Sequence, residues 1–344
     1  MIHSRRFTYP WFLIIVALMA GTGMLILNVQ NPWRKNDILV TKAKFPVVTP
    51  SVRRITKSLT ELRQDARVPE LSGHVLFFNR VPKSGSEMLV LLLQWLQGAN
   101  SFRHIRLGGG NVRKLNRIQQ EELVETVTRK VRDEAVPVTF DRHVYFLNFS
   151  HFDRQSPTYI NLVRDPVEKA ASRFYYARVT PNPRSPDLQD APQLKSKEFR
   201  SKSFDDCVQS GDPECAYNAG KTYDLTIPYF CGHQDWCTLL NEQRALETAK
   251  ANVERYFPVV GILEELNATL ALLEKRLPYF FRGVQKIYFQ DLMEPRHNRN
   301  PKRPQHVSRS TRKYLEKALD SEYDFYYWLR ARLLQQRSAL TPHQ

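Results

Sequence analysis

The sequence predicts an α/β domain in which a mainly parallel sheet is flanked by helices. Short, mostly apolar runs, at His74 to Phe78, Val144 to Phe149, Tyr159 to Val163 and Val259 to Leu263, alternate with stretches of helical periodicity. Runs so largely apolar, without strict alternation of polar residues, suit strands buried on both faces, the environment of a parallel sheet. No internal repeat divides the chain. Its 344 residues, 42% hydrophobic and 25% charged, exclude a disordered or collagen-like polymer and supply a substantial core.

The N-terminal elements set the compartment. Trp11 to Leu27 is a 17-residue run without a charge, at the short end of a membrane-spanning helix, and Tyr9, Pro10 and Asn28 extend it. A cleaved signal peptide is the alternative, but the run is long for that role and no clear small-x-small cleavage site follows. The expected organisation is a cytoplasmic tail (1–8), a transmembrane signal-anchor (9–28), a stem (29–72), a globular lumenal body (73–335) and a C-terminal tail (336–344). The stem holds Pro32, Pro46, Pro50 and Pro69 and little apolar periodicity. Asn148 and Asn267 begin glycosylation sequons. The four cysteines lie within 31 residues, as expected in oxidising surroundings, and their spacing is too loose for paired zinc ligands. Of the three connectivities, the local pairing Cys207–Cys215 and Cys231–Cys237 is preferred, since it closes two short loops.

Within the body, the first strand feeds a loop, Asn79 to Ser86, and then a helix from Glu87 to Leu96. The strand ending at Val163 runs through Arg164-Asp165-Pro166 into a helix reaching Arg178. Residues 180–203, rich in Pro, Lys and Ser, read as a surface loop. Helices are expected at 241–256 and up to Lys275, a strand at Val284 to Tyr288, and a last amphipathic helix from Thr311 to Leu334.

The loop at 79–86 carries the chemistry. A strand–loop–helix junction gathers backbone N–H groups and the positive end of the helix dipole at one place, which suits a phosphate. Gly85 permits close backbone approach, Ser84 and Ser86 offer hydroxyls, and Lys83 adds a charge. The nucleotide-triphosphatase loop is excluded, because there the lysine follows the second glycine. At the second junction Pro166 suits the first helical turn and Asp165 the cap before it, so Arg164 emerges at the carboxyl end of a strand, where ligands bind in open α/β sheets. Ser172 lies eight residues on, too far from Arg164 to be its neighbour by helix spacing alone.

With these motifs in hand, the chain resembles the Golgi sulfotransferases that use 3′-phosphoadenosine 5′-phosphosulfate (PAPS), through RVPKSGS at 80–86 and NLVRDPVEKAASRFYY at 161–176. It is most similar to the uronyl 2-O-sulfotransferases, the group that includes the heparan sulfate 2-O-sulfotransferases and the insect Pipe proteins. DRHVYFLNFSHF (141–152), IPYFCGHQDWC (227–237) and FPVVGILEEL (257–266) extend the resemblance over about 73–335. It implies a P-loop-like PAPS-dependent sulfotransferase fold, with Arg80, Lys83, Ser84, Gly85 and Ser86 lining the 5′-phosphosulfate site and Arg164 and Ser172 binding the 3′-phosphate. It further implies Lys83 at the leaving oxygen and His143 as general base, no metal, and a trimer by analogy. Heparan sulfate enzymes carry a second histidine two positions before the base; Asp141 stands there, as the uronyl branch also lacks it. Asp141 could orient His143.

The charge fits such a site. Lys and Arg total 51 against 35 Asp and Glu, a formal +16. Residues 296–313 hold seven basic side chains and no acid, beside the cofactor and acceptor by the resemblance. Arg142, Arg178, Arg299 and Lys302 are candidate contacts to an acidic glycan. The compartment excludes nucleic acid, leaving a membrane-anchored Golgi enzyme that sulfates a uronic acid 2-hydroxyl in a glycosaminoglycan. The alternative is a catalytically inactive lumenal protein of the same fold that binds anionic glycans.

Overall fold

The computed structural model describes residues 71–178, 197–290 and 306–340. The expected anchor, nearly all of the stem, most of the 180–203 loop, and Arg299 and Lys302 lie outside them. Among the described residues, no helix is long and apolar enough to cross a membrane.

One parallel sheet organises the body. Its strands are β1 (Ser72–Asn79), β2 (Arg103–Arg106), β3 (Val138–Arg142), β4 (Pro157–Val163) and β5 (Val259–Ile262), in spatial order β2-β3-β1-β4-β5. Helices of ten residues or more are α1 (Ser86–Ala99), α2 (Arg117–Asp133), α3 (Pro166–Tyr176), α4 (Gln243–Tyr256), α5 (Leu266–Arg276), α6 (Arg309–Ala318) and α7 (Asp320–Ser338). All seven residues of β4 are buried, as a strand covered on both faces requires. Phe77 in β1 pairs with Phe140 on one side and Tyr159 on the other. Their ring centroids lie 6.3 and 5.4 Å away. A slip of one residue would turn this aromatic layer to the opposite face, so the packing fixes the register.

Local chemistry starts the helices. Asn116 and Gln119 form a reciprocal capping box on α2, and the Asp165 side chain accepts the Glu168 N–H with Pro166 in the first turn of α3.

Three expected elements differ. The strand read at Val144 to Phe149 is a buried irregular segment ending in a 3₁₀ turn, and the strand precedes it at β3. The polar Thr139 and Asp141 break the apolar pattern of β3, yet both are buried on specific partners. Val284–Phe289 is a short helix; Val284 and Tyr288, four apart, share its buried side, a spacing equally open to helix and strand. The single helix expected from Thr311 breaks at Leu319 into α6 and α7.

Because all the strands are parallel, their carboxyl ends share one edge of the sheet. Central β1 brings the loop after it between the ends of β3 and β4. The chain leaves β1 toward β2 and leaves β4 toward β5, on opposite sides, the arrangement that opens a crevice at the sheet edge.

Candidate active site

The loop after β1 turns through two left-handed residues, Lys83 (φ +63°) and Gly85 (φ +79°). A Cβ on Gly85 would lie 2.8 Å from Leu263 Cδ1, so this position requires glycine on both conformational and steric grounds. The turns deliver Ser86 as the first residue of α1, and no side chain caps that helix. The Met88 N–H bonds the Gly85 carbonyl at 3.1 Å, and the N–H groups of Ser86 and Glu87 before it can donate to an anion. The Lys83 ammonium sits 3.6 Å from the centroid of the exposed Tyr176 ring at the end of α3. Ser84 is fully buried and donates to the Val81 carbonyl at 2.7 Å, so its hydroxyl shapes the turn. Ser86 is also buried. Behind the loop, Asn161 Nδ2 donates to Asn79 O at 2.7 Å, and Asn79 Nδ2 donates to Tyr229 O at 2.6 Å. These amides tie β1, β4 and the Cys231 segment into one floor. An uncapped helix start, an ammonium and a glycine that admits close approach together fit a phosphosulfate group.

His143 follows β3 directly. Its Nδ1 lies 2.9 Å from the Arg80 carbonyl oxygen. A carbonyl only accepts, so Nδ1 carries the hydrogen and Nε2 keeps its lone pair. Burial, and then the charge of Arg80, lower the proton affinity of the ring to about 4. The imidazole is therefore neutral near pH 7. The guanidinium of Arg80, expected at the cofactor, is buried between Asp141 and Glu87.

On the other side, Arg164 leaves β4 with Nη2 3.4 Å from Glu168 and Nε 3.9 Å from Glu264. Ser172 is half-buried on α3, one turn after Glu168. Arg312 of α6 reaches the same place, 2.6 Å from Glu168 and 3.2 Å from Asp165. The Tyr323 hydroxyl donates to Asp165 at 3.2 Å. The sequence signalled Arg312 only as one member of a basic run.

The remaining candidates divide. Arg142, half-buried, donates to the Gly109 carbonyl at 3.0 Å in a loop bordering the base. Arg178 is buried, bonds Glu214 at 2.9 and 2.7 Å, and stacks over Phe174; it clamps the segment that Cys207–Cys215 closes. Both disulfides, Cys207–Cys215 and Cys231–Cys237, are present. Asn148 is half-buried, its side chain accepting from Ser150, whereas Asn267 is exposed in the first turn of α5. Sequence reasoning missed Arg113 and Arg173, which converge on Asp224, with Tyr145 donating to the same carboxylate at 3.4 Å. Nothing in their spacing joins residues that only the fold assembles.

Residues 72–328 match the sulfotransferase family. The chain belongs to that family. It is 33% identical over 282 residues to the Drosophila melanogaster uronyl 2-sulfotransferase homolog pip, covering 77% of this chain and 53% of that one. To the human uronyl 2-sulfotransferase it is 34% identical over 274 residues, 77% of this chain and 64% of the relative. To the human heparan sulfate 2-O-sulfotransferase 1 it is 31% identical over 288 residues, 82% of this chain and 77% of the relative. The chain thus spans between half and two thirds of the two uronyl-type family members. The family match begins at β1 and includes the loop after it, His143, Arg164 and Arg312.

Proposed function

We propose that the protein transfers the sulfuryl group of PAPS to the 2-hydroxyl of a uronic acid in a glycosaminoglycan chain. One observation carries the reading. A neutral histidine with its tautomer fixed and Nε2 unprotonated ends the strand beside the strand that feeds the lysine–glycine loop. PAPS supplies an activated sulfuryl group on a phosphate leaving group. The acceptor hydroxyl is a poor nucleophile near neutral pH, and Nε2 of His143 takes its proton as the oxygen bonds to sulfur. The bond from sulfur to the phosphate oxygen breaks, and negative charge builds on that oxygen. Lys83 and the N–H groups starting α1 stabilise it, as fixed donors do in related transfers. Arg164 and Ser172 hold the 3′-phosphate, with Arg312 beside them. Arg113, Arg142 and Arg173 give the acceptor side a basic rim that suits the carboxylates and sulfates of the glycan.

In this reading residues 9–28 anchor the protein in the Golgi membrane with the body lumenal. The uncharged run, the sequons and the disulfides support that placement. The test is transfer of radiolabelled sulfate from PAPS to dermatan, chondroitin, heparan and desulfated heparin acceptors, followed by disaccharide analysis. Label at the uronic acid 2-hydroxyl is expected. Binding of PAP (3′-phosphoadenosine 5′-phosphate) without transfer to any of the four would overturn the reading in favour of a glycan-binding protein of the same fold.

A further inference from the structure

Three successive residues of one strand end hold three different parts of Arg80. The Asp141 carboxylate accepts from Arg80 Nη1 at 2.7 Å. The Arg142 carbonyl accepts the Arg80 N–H at 2.9 Å. The ring of His143 donates to the Arg80 carbonyl at 2.9 Å. Arg80 therefore touches the base through its main chain while its side chain is fixed from the neighbouring strand.

Asp141 is itself gripped from every side. Its side chain is 1% exposed, Oδ2 also lies 3.3 Å from Arg106 Nε, and Oδ1 lies 3.0 Å from His104 Nε2. His104 is oriented in turn by Thr139 Oγ1, 2.8 Å from its Nδ1. Glu87, in the first turn of α1, closes the cluster by bonding both Arg80 and Arg106. Two arginines thus face two carboxylates. Burial opposes ionisation of Asp141, but the His104 ring beside it, the Arg80 hydrogen bond and the two guanidinium charges hold its carboxyl down to about 2. The cluster is neutral overall, and a buried pair of this kind is costly to break from one side, because the remaining charge is stranded.

We propose that Asp141 is a positioning residue for sulfuryl transfer: by fixing Arg80 it fixes the carbonyl that keeps His143 protonated on Nδ1 and unprotonated on Nε2. It does so without touching His143. A carbonyl that moves by even 1 Å no longer selects the tautomer or the ring orientation, and misplacement on that scale costs about 100-fold in rate. The charged groups acting on His143 are Arg80, Arg113 and Asp141.

The inference rests on His143 being the base, and the test separates the two ideas. In the folded lumenal protein with PAP bound, ¹⁵N spectra of labelled histidine are expected to show His143 as the Nδ1–H tautomer. Asp141→Asn, nearly isosteric, is expected to give a mixture of tautomers, to lower kcat about 100-fold, and to leave PAP affinity within twofold. In a His143→Ala background the same substitution should cost no further turnover, since its route to the reaction is already gone. An unchanged tautomer in Asp141→Asn, or an equal further loss in the His143→Ala background, overturns the proposal. Should Asp141→Asn not fold, Arg80→Lys, which cannot span Asp141 and Glu87 together, gives the same readings. The tautomer measurement needs no acceptor, so it stands even if no glycan is sulfated.

Discussion

The two sides of the sheet edge are built differently. Around His143, Arg80 and Asp141 are buried and matched charge for charge, and the His143 ring is set in one tautomer. Around Arg164 the ions are partly exposed: Arg164 is 20%, Glu168 21% and Arg312 31% accessible, and Asp165, Glu168 and Glu264 outnumber the two arginines. Partly exposed ion pairs at 3.4 and 3.9 Å contribute less than a buried, matched pair, whose loss strands a charge. In the proposed reaction, the side assigned the proton transfer is the more tightly packed, and the side assigned the nucleotide is the more exposed.

The comparison is broken most severely at the base. His143→Ala is expected to lower kcat by about 10²- to 10⁴-fold while PAP binding stays close to wild type by calorimetry; turnover at the wild-type rate would remove His143 from the chemistry. Lys83→Ala comes next, with a loss of about 10²- to 10³-fold in kcat and a smaller change in nucleotide affinity. Arg164→Ala sharpens the contrast from the other side. It should weaken PAP binding by about 10- to 100-fold, the value of a charged hydrogen bond, and leave kcat at saturating PAPS within a few-fold. An effect on kcat without one on affinity would place Arg164 with the side assigned the proton transfer.

The smallest effect is on stability against pH. Folding lowers the proton affinity of His143 from 6.5 to about 4, by burial first and then by Arg80. Between those values the unfolded chain binds a proton that the native ring refuses. The stability His143 contributes is therefore full above about pH 6.5 and falls as the pH drops toward 4. Urea unfolding between pH 7 and 4.5 is expected to show a shallower decline in His143→Ala than in the wild type.

What could be read in the chain follows from the range of each interaction. The lysine–glycine loop, the Asp165–Pro166 helix start and the local disulfides each depend on residues within about ten positions, so spacing and residue type were enough. β3 escaped because Thr139 and Asp141 look like solvent-facing residues until Arg80 and His104 are seen beside them. Arg312 escaped because its partners Asp165 and Glu168 lie 147 and 144 residues earlier.

By itself, then, the sequence determined the fold class and the family, written in local pattern and in shared motifs, and it singled out the lysine–glycine loop and His143 as candidates. Only the tertiary structure decided how the His143 ring is held. The Asp141–Arg80–His143 contacts join side chains and a main-chain carbonyl across two adjacent parallel strands. In a parallel sheet such neighbours are separated by a whole crossover, so no local spacing encodes them.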